Sequence, residues 1–325
     1  MTGSAPCASP DEETGAAAGH YPRDVTDYPR DLAGYGANPP HPRWPGGARI
    51  AVSVVVNWEE GGETSVLHGD ATSEAASNDV VDALPRLGVR DLRTESMFEY
   101  GSRAGVWRLR RILAARGVPA TVFAVGMAVE RSPDVVAALA ADGHEICPHG
   151  YRWLDYAGID AATERAHLAR TVEAIRRVTG ERPVGWYTGR MSANTRRLVV
   201  EDGGFLYDSD DYSDDLPFWT RVAGTPHLVV PYSLDVNDMR FVGSPGFAHG
   251  GDFFSYARDT FDQLYEEGAE LPRMMSVGLH CRLAGRPGRA RAVARLLDHI
   301  AGHDGVWFAR RADIAQHWIK QHPPR

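Results

Sequence analysis

From Arg49 onward the sequence alternates apolar runs of strand length with stretches of helical period, and this rhythm limits the fold more than any other feature of the chain. The apolar runs are RIAVSVVVNW, ATVFAVG, HEICPHG, VGWYTG, LVVPYSLD, MMSVGLHCR and GVWFA. Between most of them lie helical patterns such as AGVWRLRRILAARG, SPDVVAALAADG, DAATERAHLARTVEAIRRVTG, FFSYARDTFDQLYEEG, RARAVARLLDHIAGH and RADIAQHWIKQ. Several of these close on Gly, the usual residue just past a helix C-terminus. Strands that alternate with helices run parallel, because each helix carries the chain back to the same end of the sheet. Seven or so such units predict an α/β fold, a closed or nearly closed barrel in a single domain.

The remaining sequence frames that barrel. Residues 1–20 are rich in Ala, Gly, Ser, Pro and acidic residues and are expected to form a disordered tail. Residues 21–48 are rich in Tyr, Pro and Gly without helical or strand period, which predicts an extended arm of the kind that packs on a neighbouring subunit; 21–325 is expected to be one domain. A net charge of -8 and a pI near 5.9 argue against a nucleic-acid partner, which asks for a basic face. No apolar run reaches the ~18 residues of a membrane span, and the N-terminus lacks the basic and apolar regions of a secretory signal, so a cytoplasmic location is expected. Cys7, Cys147 and Cys281 have no CxxC spacing and fit reduced thiols.

In a (β/α) barrel, chemistry sits at the C-terminal ends of the strands. Side chains alternate along a strand, so Ile50, Val52, Val54 and Val56 form one face and Ala51, Ser53, Val55, Asn57 and Glu59 the other. The bulky face suits packing against helices, which leaves the smaller, more polar face inside. MMSVGLHCR divides the same way: Met275, Val277, Leu279 and Cys281 face outward, while Ser276, Gly278, His280 and Arg282 face inward. In HEICPHG, His149 falls at the C-terminal end, and His144, on the opposite parity, is expected to be structural. Three strands therefore bring Glu59, His149 and His280 to one rim.

At these residues the sequence resembles the polysaccharide deacetylase superfamily, the NodB-homology fold. Its matching segments here are NWEEGGE (57–63), HGYRW (149–153), WYTGRMSAN (186–194), YSLDVNDMRF (232–241) and GLHCRLAGRPGR (278–289). Four segments, YPRDLAGYGANPPHPRWPGGARIAVSVVVNWEEGGE, FEYGSRAGVWRLRRIL, HGYRW and LHCRLAGRPGR, are similar to the cofactor-independent allantoinase branch of that superfamily, the PuuE type. The resemblance implies a deformed (β/α) barrel of about seven strands, hydrolysis of the hydantoin ring of allantoin to allantoate, and often a tetramer. The wider superfamily implies the alternatives, a metal-dependent N-deacetylase of an amino sugar or peptidoglycan, or a related cyclic imide hydrolase.

The resemblance also assigns roles. Glu59 stands at the family's catalytic base and Glu60 at its ligand aspartate. His149 stands at the first ligand histidine, but Trp153 stands where the second belongs, which leaves too few ligands for tight zinc. The implied chemistry therefore uses no metal and no cofactor. Without a metal, the base is expected to need a pKa raised toward neutrality by burial or a second carboxylate. His280 is the candidate acid for the leaving nitrogen, and Asp235 or Asp238 the carboxylate that orients it. His149 either polarises the attacked carbonyl or positions water. Glu60 either meets substrate or is a plain loop carboxylate, and Trp153 either stacks on a flat heterocycle or fills the core. Tyr187 replaces the family's base-orienting arginine, a contact that Arg190 or Arg103 is left to supply. Arg282, Arg286 and Arg289 surround Pro287, the expected start of a helix whose dipole disfavours cations, and so suggest either an acidic partner or simple solvation.

Overall fold

The sequence RIAVSVVVNW forms the central strand of the larger of two sheets. In the computed structural model, which describes residues 30–80 and 83–324, this strand is β1 (Ile50–Trp58). β2 (Ala120–Ala124), β3 (Glu145–Pro148), β4 (Gly185–Trp186), β5 (Tyr207–Asp208), β6 (Phe218–Val222), β7 (Thr225–Val229), β8 (Arg273–His280) and β9 (Val306–Phe308) follow. β1 pairs along its whole length with β8 and gives its other edge to β9 at Ile50–Val52 and to β2 at Val54–Trp58, all parallel. β3 extends this sheet beside β2. The second sheet has the order β4-β5-β7-β6, in which only the β6–β7 hairpin is antiparallel.

Single backbone hydrogen bonds close the gaps between the sheets and their connecting segments: Tyr187 N–H donates to the Pro148 carbonyl (3.1 Å), Gly278 N–H to the Val236 carbonyl (2.9 Å) and Met274 N–H to the Asp215 carbonyl (3.0 Å). The result is the deformed α/β barrel of the NodB-homology type, with β1, β2, β3, β4, β5, β7 and β8 as its parallel staves. Helices cover the outside, and the strand parity holds. Ile50, Val52, Val54, Val56, Val277 and Leu279 join the core formed with helices Val106–Ala114, Gly250–Glu267 and Pro287–Ala301. Val55 turns inward to Phe123, Cys147, Tyr187 and Tyr232.

Two further strands, β5 and β6, escape the apolar pattern. β5 is two residues long, too short to show a period. The β6–β7 turn runs through Ala223 and Gly224, both with positive φ, a left-handed pair that Asn-Gly signals more strongly than Ala-Gly.

Contacts divide the chain at Pro40 into a segment ending there and a unit spanning His41–Arg325. The proposed tail, 1–20, and the start of the proposed arm, 21–29, lie outside the described residues. In the arm's last stretch, Trp44 is anchored on its own unit. It is buried against Trp307, His317 and Trp318 of its own unit, and its indole N–H donates to the Arg273 carbonyl at 3.0 Å. Burying such a ring contributes about 1.5–3 kcal/mol, enough to hold this stretch against the barrel. Among the described residues, no helix is long and apolar enough to cross a membrane.

Candidate active site

The C-terminal ends of β1, β3 and β8 place Glu59, His149 and His280 together, as their parity requires. The Glu59 carboxylate lies 3.2 Å from His149 Nε2 and 3.4 Å from His280 Nε2. On its other side Arg282 Nη1 stands 2.7 Å from Glu59 Oε2, an ion pair whose angles fall outside hydrogen-bond geometry. All four side chains are buried.

Glu59 departs from the expectation of a raised pKa. Burial alone would push its carboxyl up, but the charges of Arg282 and His280, with hydrogen bonds from His149 and His280, outweigh that and hold it well below the usual carboxylate range. The raised carboxyl is the neighbouring Glu60, which burial and the Glu59 charge, opposed by Arg282, lift to about 7. Glu60 does not line the cavity. Its Oε2 accepts from Glu59 N–H (3.0 Å) and its Oε1 from Arg282 N–H (3.2 Å), which ties the ends of β1 and β8 together. Nor is it the solvated loop carboxylate of the other reading.

The segment FEYGSRAGVW makes room for this tie. Between helices Leu92–Tyr100 and Val106–Ala114 the chain takes one wide π turn, Gly101–Gly105. A Cβ on Gly101 would collide with the Glu60 carboxylate, and one on Gly105 with the Cys281 carbonyl. π turns recur at functional sites, and here the turn lets a helix press directly on the two glutamates.

His280 is held by the carboxylate the sequence left ambiguous. Asp238, fully buried, accepts from His280 Nδ1 at 2.6 Å and from the backbone N–H groups of His280 (2.7 Å) and Ala284 (2.8 Å). Nδ1 is thereby fixed as a donor, and Nε2 faces Glu59. Burial would depress the imidazole, but Glu59 and Asp238 overcome it and raise His280 to about 9. Asp235 does not orient His280: it accepts from the Ser233 hydroxyl instead.

Tyr187 stacks on Phe123 at 4.2 Å between ring centroids, and its hydroxyl meets that of Tyr212 at 3.1 Å. The arginine that addresses the base is Arg282, not Arg190 or Arg103. Arg103 lies on the surface near Glu99, and the Arg190 guanidinium stacks 3.9 Å above the Trp153 ring. The buried Trp153 ring fills the core, as one of its two readings expected, and it also lines the cavity. Arg282, expected to bind substrate, does not line the cavity: it lies behind Glu59, with its guanidinium 4.2 Å from the Phe98 ring. Arg286 and Arg289 find their acidic partner within the chain, in Asp79, at 3.8 and 2.6 Å. His144 is structural, its Nδ1 accepting from Ala120 N–H.

The cavity above Glu59 measures ≈ 110 Å³. Glu59, His149, Trp153, Tyr187, Arg190 and His280 line it, as do residues that the sequence did not single out: Asn57, Ser77, Tyr212, Tyr232, Asn237 and Met239. Asn57 was already on the inward face, and Tyr232 and Asn237 lie in a segment matched to the family; Ser77 and Tyr212 carried no signal. Asp210 was also missed. Its carboxylate accepts from the N–H groups of Thr188 (2.9 Å) and Gly189 (2.7 Å), so it fixes the loop that presents Tyr187 and Arg190. Burial and the Asp208 charge lift it to about 7.

The superfamily's metal does not fit these residues. Trp153 offers no donor atom, both Glu60 oxygens are engaged by backbone N–H groups, and Arg282 already sets a fixed cation between the two glutamates, 3.8 Å from Glu60 Oε1.

Comparison with known proteins shows the family. The polysaccharide deacetylase family model matches residues 93–204. A Schizosaccharomyces pombe protein named after the polysaccharide deacetylases is 45% identical over 313 residues, covering 90% of this chain and 98% of its own. The chain belongs to the polysaccharide deacetylase family. Two solved structures are nearer in sequence, each with a TM-score of 0.90 and each covering 92% of this chain and 100% of its own. One, from Pseudomonas aeruginosa PAO1 and also named after the polysaccharide deacetylases, is 60% identical. The other, PuuE allantoinase, is 57% identical.

Proposed function

We propose that this chain is a cyclic-amide hydrolase that opens the hydantoin ring of allantoin to allantoate without a resident metal. The observation that carries this reading is Arg282, a guanidinium standing against Glu59 and Glu60, the two carboxylates that match the superfamily's base and metal ligand. The likeness to PuuE allantoinase supports the substrate. So does the cavity, which is of the order of the ~150 Å³ space that takes one benzene and suits a single small ring better than a sugar chain.

Ring opening needs a proton acceptor for water, a partner for the oxyanion and a donor for the leaving nitrogen. Glu59, anionic at neutral pH, accepts the proton of the attacking water, and His280 Nε2–H, protonated at neutral pH, delivers one to the ring nitrogen. Both groups thus rest in the states the reaction uses, at the cost of modest acid and base strength. His149 and Arg190 hold the attacked carbonyl, and the ring lies against Trp153 and Tyr187. Arg282 and Asp238 touch no substrate; they set the charge of Glu59 and His280. Action within the cell and assembly as a homo-oligomer belong to the same proposal.

Purified protein incubated with allantoin is expected to release allantoate. Failure to do so, with release of acetate from an N-acetylated sugar instead, would replace this reading with that of a deacetylase.

A further inference from the structure

Outside the barrel's mouth, a second group of side chains has metal-ligand chemistry that the proposed reaction does not use. On the outer surface, helix Gly250–Glu267 carries Asp262; helix Pro287–Ala301 carries His299, and His303 follows two residues beyond its end. His303, although past the helix end, still lies beside His299, with ring centroids 4.8 Å apart. One ligand atom from each of Asp262, His299 and His303 lies within 4.8 Å of the other two. All three residues are partly exposed, so an ion can enter and keep a water.

The donors are already oriented. His299 Nε2 faces Asp262 Oδ1 at 2.7 Å. His303 Nδ1–H donates to the His299 carbonyl at 2.9 Å, which leaves the Nε2 lone pair free. A backbone acceptor of this kind is what orients most metal-binding histidines. Ring packing fixes the His303 imidazole further, edge-on to buried Phe261 (5.1 Å) and to Tyr265 (5.0 Å). The nearest cation is Arg258, 4.0 Å from Asp262 Oδ2 but engaged chiefly with Asp259 at 2.5 Å. Tetrahedral ligands on ~2.1 Å bonds stand about 3.4 Å apart, so the ion would open the 2.7 Å Asp262–His299 pair, taking the place of its hydrogen bond, with the three ligand atoms already within 4.8 Å of one another.

We propose that Asp262, His299 and His303 form a binding site for a zinc-class divalent cation, which clips helix Gly250–Glu267 to the end of helix Pro287–Ala301. Two imidazoles and one carboxylate favour zinc over calcium or magnesium, which take oxygen donors. The clip joins the helices on either side of β8, the strand that ends in His280, and needs nothing from the catalytic residues.

The test titrates zinc chloride into metal-stripped full-length protein by calorimetry and follows thermal unfolding with and without zinc. One zinc per chain is expected, with a higher unfolding midpoint. Asp262→Asn and His303→Ala are each expected to weaken binding by about tenfold or more and to abolish the midpoint shift. Glu59→Gln, in the barrel, is expected to leave both unchanged. Absence of zinc binding into the millimolar range, or binding that survives both surface substitutions or is lost in Glu59→Gln, would overturn the proposal, and would leave only a hydrogen bond between two helices.

Discussion

The barrel interior buries an arginine and a glutamate twice, and the two places behave differently. Toward the floor, Glu145 accepts from the hydroxyls of Thr121 (2.8 Å) and Tyr207 (2.7 Å) and from Ala312 N–H (2.9 Å). Arg311 donates to the hydroxyls of Ser209 (2.8 Å) and Ser276 (3.1 Å) and to the carbonyls of Val230 and Pro231. Neutral dipoles satisfy both charges. At the rim, ions face ions: Arg282, Glu59 and His280 meet directly, and Glu59 Oε2, His149 Nδ1 and both Arg282 terminal nitrogens lack hydrogen-bond partners. A folded protein leaves few buried polar atoms unsatisfied. Among the described residues, the floor meets its charges with neutral dipoles and leaves only the Ser53 hydroxyl unpartnered nearby, whereas the rim sets charge against charge and leaves several charged atoms without a hydrogen bond; that difference separates a structural polar cluster from one built to react.

Substitutions that treat the two clusters alike should separate them. The largest contrast is expected between Glu59→Gln and Glu145→Gln. The first is expected to lower allantoin turnover by about 10²–10⁴ while circular dichroism remains native, and the second to leave turnover per folded molecule near wild type. Similar loss in both would erase the distinction.

Arg282→Met and Arg311→Met come next. Each is expected to destabilise the fold, Arg282→Met by about 3–5 kcal/mol in denaturant titration, because Glu59 and Glu60 lose their counter-charge. Only Arg282→Met is expected to move the acid limb of kcat/KM, and to higher pH, because the main charge holding Glu59 below the carboxylate range is gone. An acid limb that stays in place would remove Arg282 from control of the base.

A smaller change is expected from Asp238→Asn. His280 is raised from 6.5 to about 9, so its contribution to stability is fully present below pH 6.5 and is lost as pH rises through about 9. The alkaline limb of activity is expected in the same range and should shift to lower pH in Asp238→Asn; an unchanged limb would exclude His280 as the acid. Trp153→His should have the least effect, a few-fold rise in KM from lost stacking with kcat largely retained.

Strand alternation alone made much of the site legible. It placed Glu59, Asn57, His280 and Arg282 on the inward face and Leu279 and Cys281 on the outward one, because a period of two is indifferent to tertiary detail. It did not reveal that Arg282 serves Glu59, a pairing across 223 positions of sequence that inverts the expected pKa of the base. Nor did it choose Asp238 over Asp235, since both sit in a turn-forming run and only the closure of the barrel at Gly278 brings one of them to His280. Asp210 was hidden for a related reason: a carboxylate that caps backbone N–H groups beyond the neighbouring strand leaves no mark in local sequence.

The central claim is that Arg282 and the Glu59–His280 pair do the work that the wider superfamily assigns to a metal. Allantoin turnover by protein treated with a strong chelator and freed of divalent ions tests it most directly. Undiminished release of allantoate is expected; turnover that disappears with the chelator and returns on adding a divalent ion would contradict the account.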